Sequence, residues 1–186
     1  MNRFIAGSEE AKEILQEVRQ KWFPLLEQAI IKILFDTKKR TSGGKIVLGR
    51  ILKANDLIRR LTDNLAEEGC DYILFLDEVA FVNIPAEDKI RLVRHELRHC
   101  KVIETKKGIT YKIIPHDLED FTIEVKLNED KIDWAKNAVQ LTADIYDQIE
   151  DARKDEENMD EKKKTPLQQS SPDTSPKKVF SFRKTI

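Results

Sequence analysis

An α+β fold, with helices near the N- and C-terminal ends and strands and a further helix between them, follows from three features of this sequence. Apolar residues recur at helical spacing near both ends, a continuous apolar run of strand length sits between them, and the helix after that run carries three distinct faces. At 186 residues the chain suits one ordinary domain plus an appendage.

Taken in order, Ser8 is placed to cap a helix in which Ile14, Leu15, Val18 and Trp22 share a face, and Pro24 should end it. Residues 29–36 alternate, with Ala29, Ile31, Ile33 and Phe35 on one side, as a strand does. The stretch 38–44 reads as a turn and residues 45–52 as a second strand, so the two should pair as a hairpin. Asn55 can cap a helix with Leu57, Ile58, Leu61 and Leu65 that stops near Gly69. Tyr72 to Leu76 is apolar throughout, which suits a strand buried on both faces. Asn83 as cap and Pro85 in the first turn should open the next helix.

Beyond Cys100, residues 102–104 and 110–113 should pair across Lys106-Lys107-Gly108. Residues 117–127 satisfy two periods: Phe121, Ile123, Val125 and Leu127 alternate like a strand, while Leu118, Phe121 and Val125 fit a helix. From Lys131, the residues Trp134, Ala138, Leu141 and Ile145 mark an amphipathic helix that should end at 151–154. Composition then shifts to charged, Gln, Ser and Pro residues, so we expect a folded domain over 1–154 and a disordered tail over 155–186.

Charged residues make up 36% of the chain but nearly cancel to a net charge of −1, giving no global attraction to nucleic acid or anionic membrane. The two cysteines, Cys70 and Cys100, are far apart and suit a reducing compartment. With no signal peptide and no apolar run of membrane length, a cytoplasmic location is expected.

The chemistry concentrates in the three histidines. His95-Glu96-Leu97-Arg98-His99 is an H-E-x-x-H motif, which by usual residue frequencies arises by accident in well under about one per cent of chains this long. On a helix it places two imidazoles one turn apart to grip a zinc ion, with Glu96 beside the metal as general base. At about 100° per residue, Ile90, Val93, Leu97 and Cys100 form an apolar sector. Glu87, Arg91, Arg94 and Arg98 form a second sector that should face water, and Leu92, His95, Glu96 and His99 form the third. A purely structural helix needs only the first two.

A catalytic zinc takes three protein ligands and keeps one position open. His116, the remaining histidine, is the preferred third ligand; Glu119 is its rival, and Glu119 or Asp117 could instead orient a ligand through a hydrogen bond. Ordinary acidity at a helix start also accounts for Asp117 and Glu119. Cys100 lies in the apolar sector and reads as a buried small hydrophobe. Tyr111 is the nearest phenol to His116, although a packed strand tyrosine is the commoner role.

The runs Lys45–Arg50, Tyr72–Asp77, His95–Cys100 and Pro115–Phe121, in that order, resemble the phage metallopeptidases, which in turn resemble the SprT-like branch of zincin proteases; the similarity covers about residues 25–130. The resemblance implies a zincin-like fold with an active-site helix on a small sheet. It also implies a following helix over 116–127 that carries the third ligand, a role falling on His116. Asp117 stands where the SprT-like pattern has glycine, and no Cys-rich zinc ribbon is present. The expected function is a zinc peptidase acting on a protein or peptide. Two alternatives are a non-catalytic zinc-stabilised module that engages a host protein, and a SprT-like protease associated with nucleic acid, which would need a basic surface from Arg91, Arg94 and Arg98.

Overall fold

The computed structural model describes residues 2–63, 69–106, 108–116 and 121–164, and comprises two units, Met1–Glu150 and Asp151–Ile186. In chain order the strands are β1 (Phe4–Ala6), β2 (Ile31–Asp36), β3 (Thr41–Ser42), β4 (Lys45–Ile46), β5 (Gly49–Lys53), β6 (Tyr72–Asp77), β7 (Cys100–Thr105) and β8 (Gly108–Ile113). The helices are α1 (Glu9–Trp22), α2 (Asp56–Leu61), α3 (Glu78–Asn83), α4 (Ala86–Arg98), α5 (Thr122–Leu127) and α6 (Trp134–Lys164). The architecture is mixed α+β.

β6 organises the first unit because all six of its residues are buried. A strand apolar on both faces must sit inside a sheet, and β6 lies between β2, parallel to it, and β5, antiparallel, in the order β1-β2-β6-β5. The expected hairpin between residues 29–36 and 45–52 is therefore not formed: β6 inserts between its two arms. The Gly43-Gly44 turn instead closes a two-residue ladder of its own, Thr41–Ser42 on Lys45–Ile46.

Tyr72, Leu74 and Leu76 point to one face, where they meet Ala11, Leu15 and Val18 of α1, Leu92, Val93 and Leu97 of α4, and Trp134 and Ala138 of α6. Ile73 and Phe75 point to the other, against Ala54, Cys70, Leu34 and Ile58. Ser8 caps α1 by accepting from Ala11 N, and the helix stops at Trp22 because Pro24 opens a 3-10 turn over Pro24–Gln28. Asn55 caps α2 as expected, but the helix ends at Leu61 with Leu57 and Leu61 exposed; Leu65 lies outside the described residues.

Asn83 does not open the functional helix. It closes α3, which Asp77 caps, and its side-chain amide donates to Val79 O at 2.8 Å. α4 starts at Ala86, with the carbonyl of Pro85 accepting from Asp88 N and Lys89 N. Cys100–Thr105 and Gly108–Ile113 pair antiparallel as anticipated, and Tyr72 ties this hairpin to the sheet by donating its hydroxyl to Lys112 O at 2.9 Å.

Of the two periods open for 117–127, the helical one prevails from Thr122, since α5 buries Glu124 and leaves Ile123 and Val125 half exposed. α6 runs on to Lys164, ten residues past the boundary that composition suggests at 154; the remainder of the expected tail, 165–186, lies outside the described residues.

Candidate metal centre

α4 delivers His95 and Glu96 from its last turn, and His99 forms its C-cap, still in helical conformation. The one-turn offset of the motif therefore survives although the helix itself ends at Arg98. β7 and β8 then take the chain out and back. Their register, Cys100 opposite Ile113, brings Ile114 beside His99, where Ile114 N donates to His99 O at 2.8 Å. His116 follows two residues later, outside any described helix, whereas the resemblance implies a helical position for it.

One ring nitrogen from each of His95, His99 and His116 lies within 4.8 Å of the others. Nε2 of His95 and Nε2 of His116 are 3.1 Å apart. Ligands at about 2.0–2.1 Å in a tetrahedral site stand roughly 3.3 Å from one another, so the trio is close to the span a zinc-sized cation needs. Nδ1 of His99 is 2.8 Å from the carbonyl of Ile114. A carbonyl only accepts, so Nδ1 carries the proton and Nε2 keeps its lone pair for a ligand. Phe121 backs the trio, its ring centroid 4.8 to 5.8 Å from the three imidazoles. The donor set and its spacing fit a divalent cation.

Glu96 sits beside this cluster, only 5% exposed. Burial pushes its carboxyl up to about 8, and no hydrogen-bond donor among the described residues offsets that cost. Gly49 of β5 makes room for it: a Cβ there would meet Glu96 Oε1 at 3.0 Å. A cleft of about 310 Å3 opens from His95, Glu96 and His116 between Ile46–Gly49 on one side and Trp134, Ala135 and Val139 of α6 on the other, with Leu92 at its floor. Among the described residues no strand pairs with the outer edge of β5.

Residues 3–149 match the model of the family described as "Putative phage metallopeptidase". The chain belongs to this family. No curated protein and no solved structure matches. A phage metallopeptidase, by its family description, is a metal-dependent peptidase, and the histidine trio is the place where this member can hold a divalent metal. Among the described residues no helix is long and apolar enough to cross a membrane.

The arginine face of α4 departs from expectation. Arg91 and Arg94 are buried, not in water. Arg94 Nε donates to Glu124 Oε2 at 2.9 Å and its other arm reaches Asn128, while Arg98 donates to Glu124 Oε1 at 3.0 Å. Arg91 pairs with Asp88 at 2.8 Å and with Asp130. These side chains bind α4 to α5 and the turn after it, instead of forming the solvated face that spacing suggests. Asp117 and Glu119 lie outside the described residues. Cys100 is buried in the core as anticipated, and burial raises its thiol above the usual range. Tyr111 packs edge-on against Tyr72, 5.6 Å between centroids, and does not line the cleft.

Gly49, the Ile114 carbonyl and Trp134 are the contributors that motif reading missed. A glycine inside a strand pattern signals a close backbone approach, so Gly49 could have been found. A backbone carbonyl leaves no mark in residue identity.

Proposed function

We propose that this chain is a zinc-dependent, zincin-type peptidase that hydrolyses peptide bonds with Glu96 as general base. The observation that carries the reading is the convergence of three imidazoles, drawn from two separate segments, beside a buried carboxylate that nothing else in its surroundings explains. His95, His99 and His116 would hold the metal, and three neutral imidazoles suit zinc. Bound there, the cation supplies Lewis-acid chemistry, acidifying water and polarising a carbonyl.

Glu96 takes a proton from water on one side of the cleft and returns it to the leaving amine nitrogen. Burial raises the Glu96 carboxyl in the metal-free site, and a bound cation would draw it back towards the carboxylate that the base role needs. The proton on His99 Nδ1 stays with Ile114 O and keeps the ring aimed at the site. The open edge of β5 can pair with an extended substrate backbone, and Gly49 lets that backbone approach Glu96.

The test is elemental analysis and hydrolysis of an unfolded protein substrate by the full chain. Wild type and Glu96→Gln should both hold about one zinc per chain, with hydrolysis lost in the variant by at least about a thousandfold. His116→Ala should lose the metal while Glu119→Ala retains it. Metal-free wild type purified without chelator, or a Glu96→Gln protein with full activity, would refute the proposal.

A further inference from the structure

At the end of β2, two arginines converge on one carboxylate and a third stands beside them. Asp36, the last residue of β2, is buried and accepts from Arg3 Nε and an Arg3 terminal nitrogen at 3.1 and 3.0 Å, and from Arg40 Nε at 3.4 Å. Arg50 of β5 lies close enough to feel Arg40, Asp36 and Arg3, yet it forms no ion pair or hydrogen bond among the described residues. Its guanidinium stacks on Phe75 at 4.2 Å, and its Nε is shielded from water without a partner. The other carboxylate nearby, Asp77, is turned to Ala80 N and to the Tyr146 hydroxyl, both at 2.9 Å.

A half-buried guanidinium has lost part of its hydration, and proteins normally return that loss through a carboxylate or phosphate. Arg50 has neither: Arg3 and Arg40 take up Asp36, and Asp77 is turned to Ala80 N and Tyr146. Burial, then the field of Arg40, draws Arg50 below the usual arginine range, as expected of a cation short of counter-charge. A gap of about 10 Å3, room for one oxygen atom, is lined by Arg40 and Arg50, by Gly49 and Phe75, and by two carboxylates, Asp36 and Asp77, the latter held by Ala80 N and the Tyr146 hydroxyl. The planar fork of arginine matches an oxyanion with two parallel hydrogen bonds.

We propose that Arg50, flanked by Arg40 and Arg3, is a binding site for a compact oxyanion, a phosphate or a carboxylate, that inserts one oxygen into this gap. The anion completes the charge balance that Asp36 alone does not supply. Two sources share this chemistry: free phosphate, and an acidic side chain on a peptide.

The experiment is calorimetric titration of the full chain at constant ionic strength with inorganic phosphate, with capped Ala-Glu-Ala and with capped Ala-Gln-Ala. The readout is the difference in binding between wild type and variant, so an anion held by a metal in the histidine trio cancels, and hydrolysis does not enter. Phosphate should bind wild type and bind Arg50→Gln at least about tenfold more weakly, the loss of one charge-assisted contact. Arg40→Gln carries the same test should Arg50→Gln fail to fold, which the unfolding midpoint of each variant reports. Preference for the Glu peptide over its Gln counterpart, lost in either variant, assigns the source to a peptide; phosphate binding without that preference assigns it to the free ion. Equal affinity of wild type and both variants for every ligand, or no binding at all, would overturn the site.

Discussion

The two polar flanks of α4 solve opposite problems. On the arginine flank every buried charge is met: Arg94 and Arg98 share Glu124, which is fully buried, and Arg91 has Asp88 and Asp130. On the histidine flank Glu96 is almost as deeply buried, and desolvation alone acts on it. Paired buried charges fix geometry, whereas a buried carboxylate left without a donor costs stability and keeps its proton chemistry available. One helix thus holds its position by one flank and presents the candidate metal site on the other.

The strongest way to break this contrast is to remove the central acid of the paired flank. Glu124→Ala strands two guanidiniums and should destabilise the protein by about 3–5 kcal/mol in chemical denaturation. Zinc should also bind more weakly, because Phe121 stands at the start of the helix that Glu124 anchors to α4. A loss below about 1 kcal/mol would mean that the arginines are hydrated and the two flanks are not different in kind.

Glu96→Gln should act in the opposite direction in chelator-treated protein. With its folded pKa raised from 4.5 to about 8, Glu96 holds its proton when folded but releases it when unfolded across that interval. The wild type therefore loses stability as pH rises from 4.5 towards 8, and loses none of it below 4.5. The variant removes the titration and should be more stable at pH 8 by on the order of 3 kcal/mol. Zinc in the trio favours the carboxylate and should shrink this difference. Parallel pH profiles for the two metal-free proteins would contradict the burial argument.

Gly49→Ala places a methyl against Glu96 Oε1 and Leu92 Cδ1, at 3.0 and 3.2 Å. We expect about 1–2 kcal/mol of destabilisation, the usual scale of overpacking, and a fall in hydrolysis with zinc content unchanged. The smallest effect belongs to Asp130→Asn. Asp130 is 62% exposed, so its link to Arg91 should be worth less than about 1 kcal/mol and fade with salt.

The sequence exposed the reactive flank more fully than the anchoring one. Histidine and glutamate at motif spacing stand out against a chain with only three histidines. Arg91, Arg94 and Arg98, by contrast, have the spacing of an ordinary solvated face, and what buries them lies some 26–39 residues later in a segment whose own period was ambiguous. Local periodicity located α1, β6, β7 and β8, because each is decided by its own apolar pattern. It failed for the 29–36 and 45–52 pair, since partner choice depends on a third strand, Tyr72–Asp77, that comes only later in the chain. Asn83 misled because capping residues also close helices, and α3 is too short to announce itself.

The reciprocal contact between His99 and Ile114 sets a rule for how this chain can vary. Ladder pairing measures out the return of β8 from its fixed origin at Cys100, so residues can be gained or lost in matched pairs at the Thr105 and Gly108 end of the ladder without moving the far end. Between Ile114 and His116 no such slack exists: one added residue would carry an imidazole past its two companions. Length tolerance and chemical necessity thus sit at opposite ends of one ribbon.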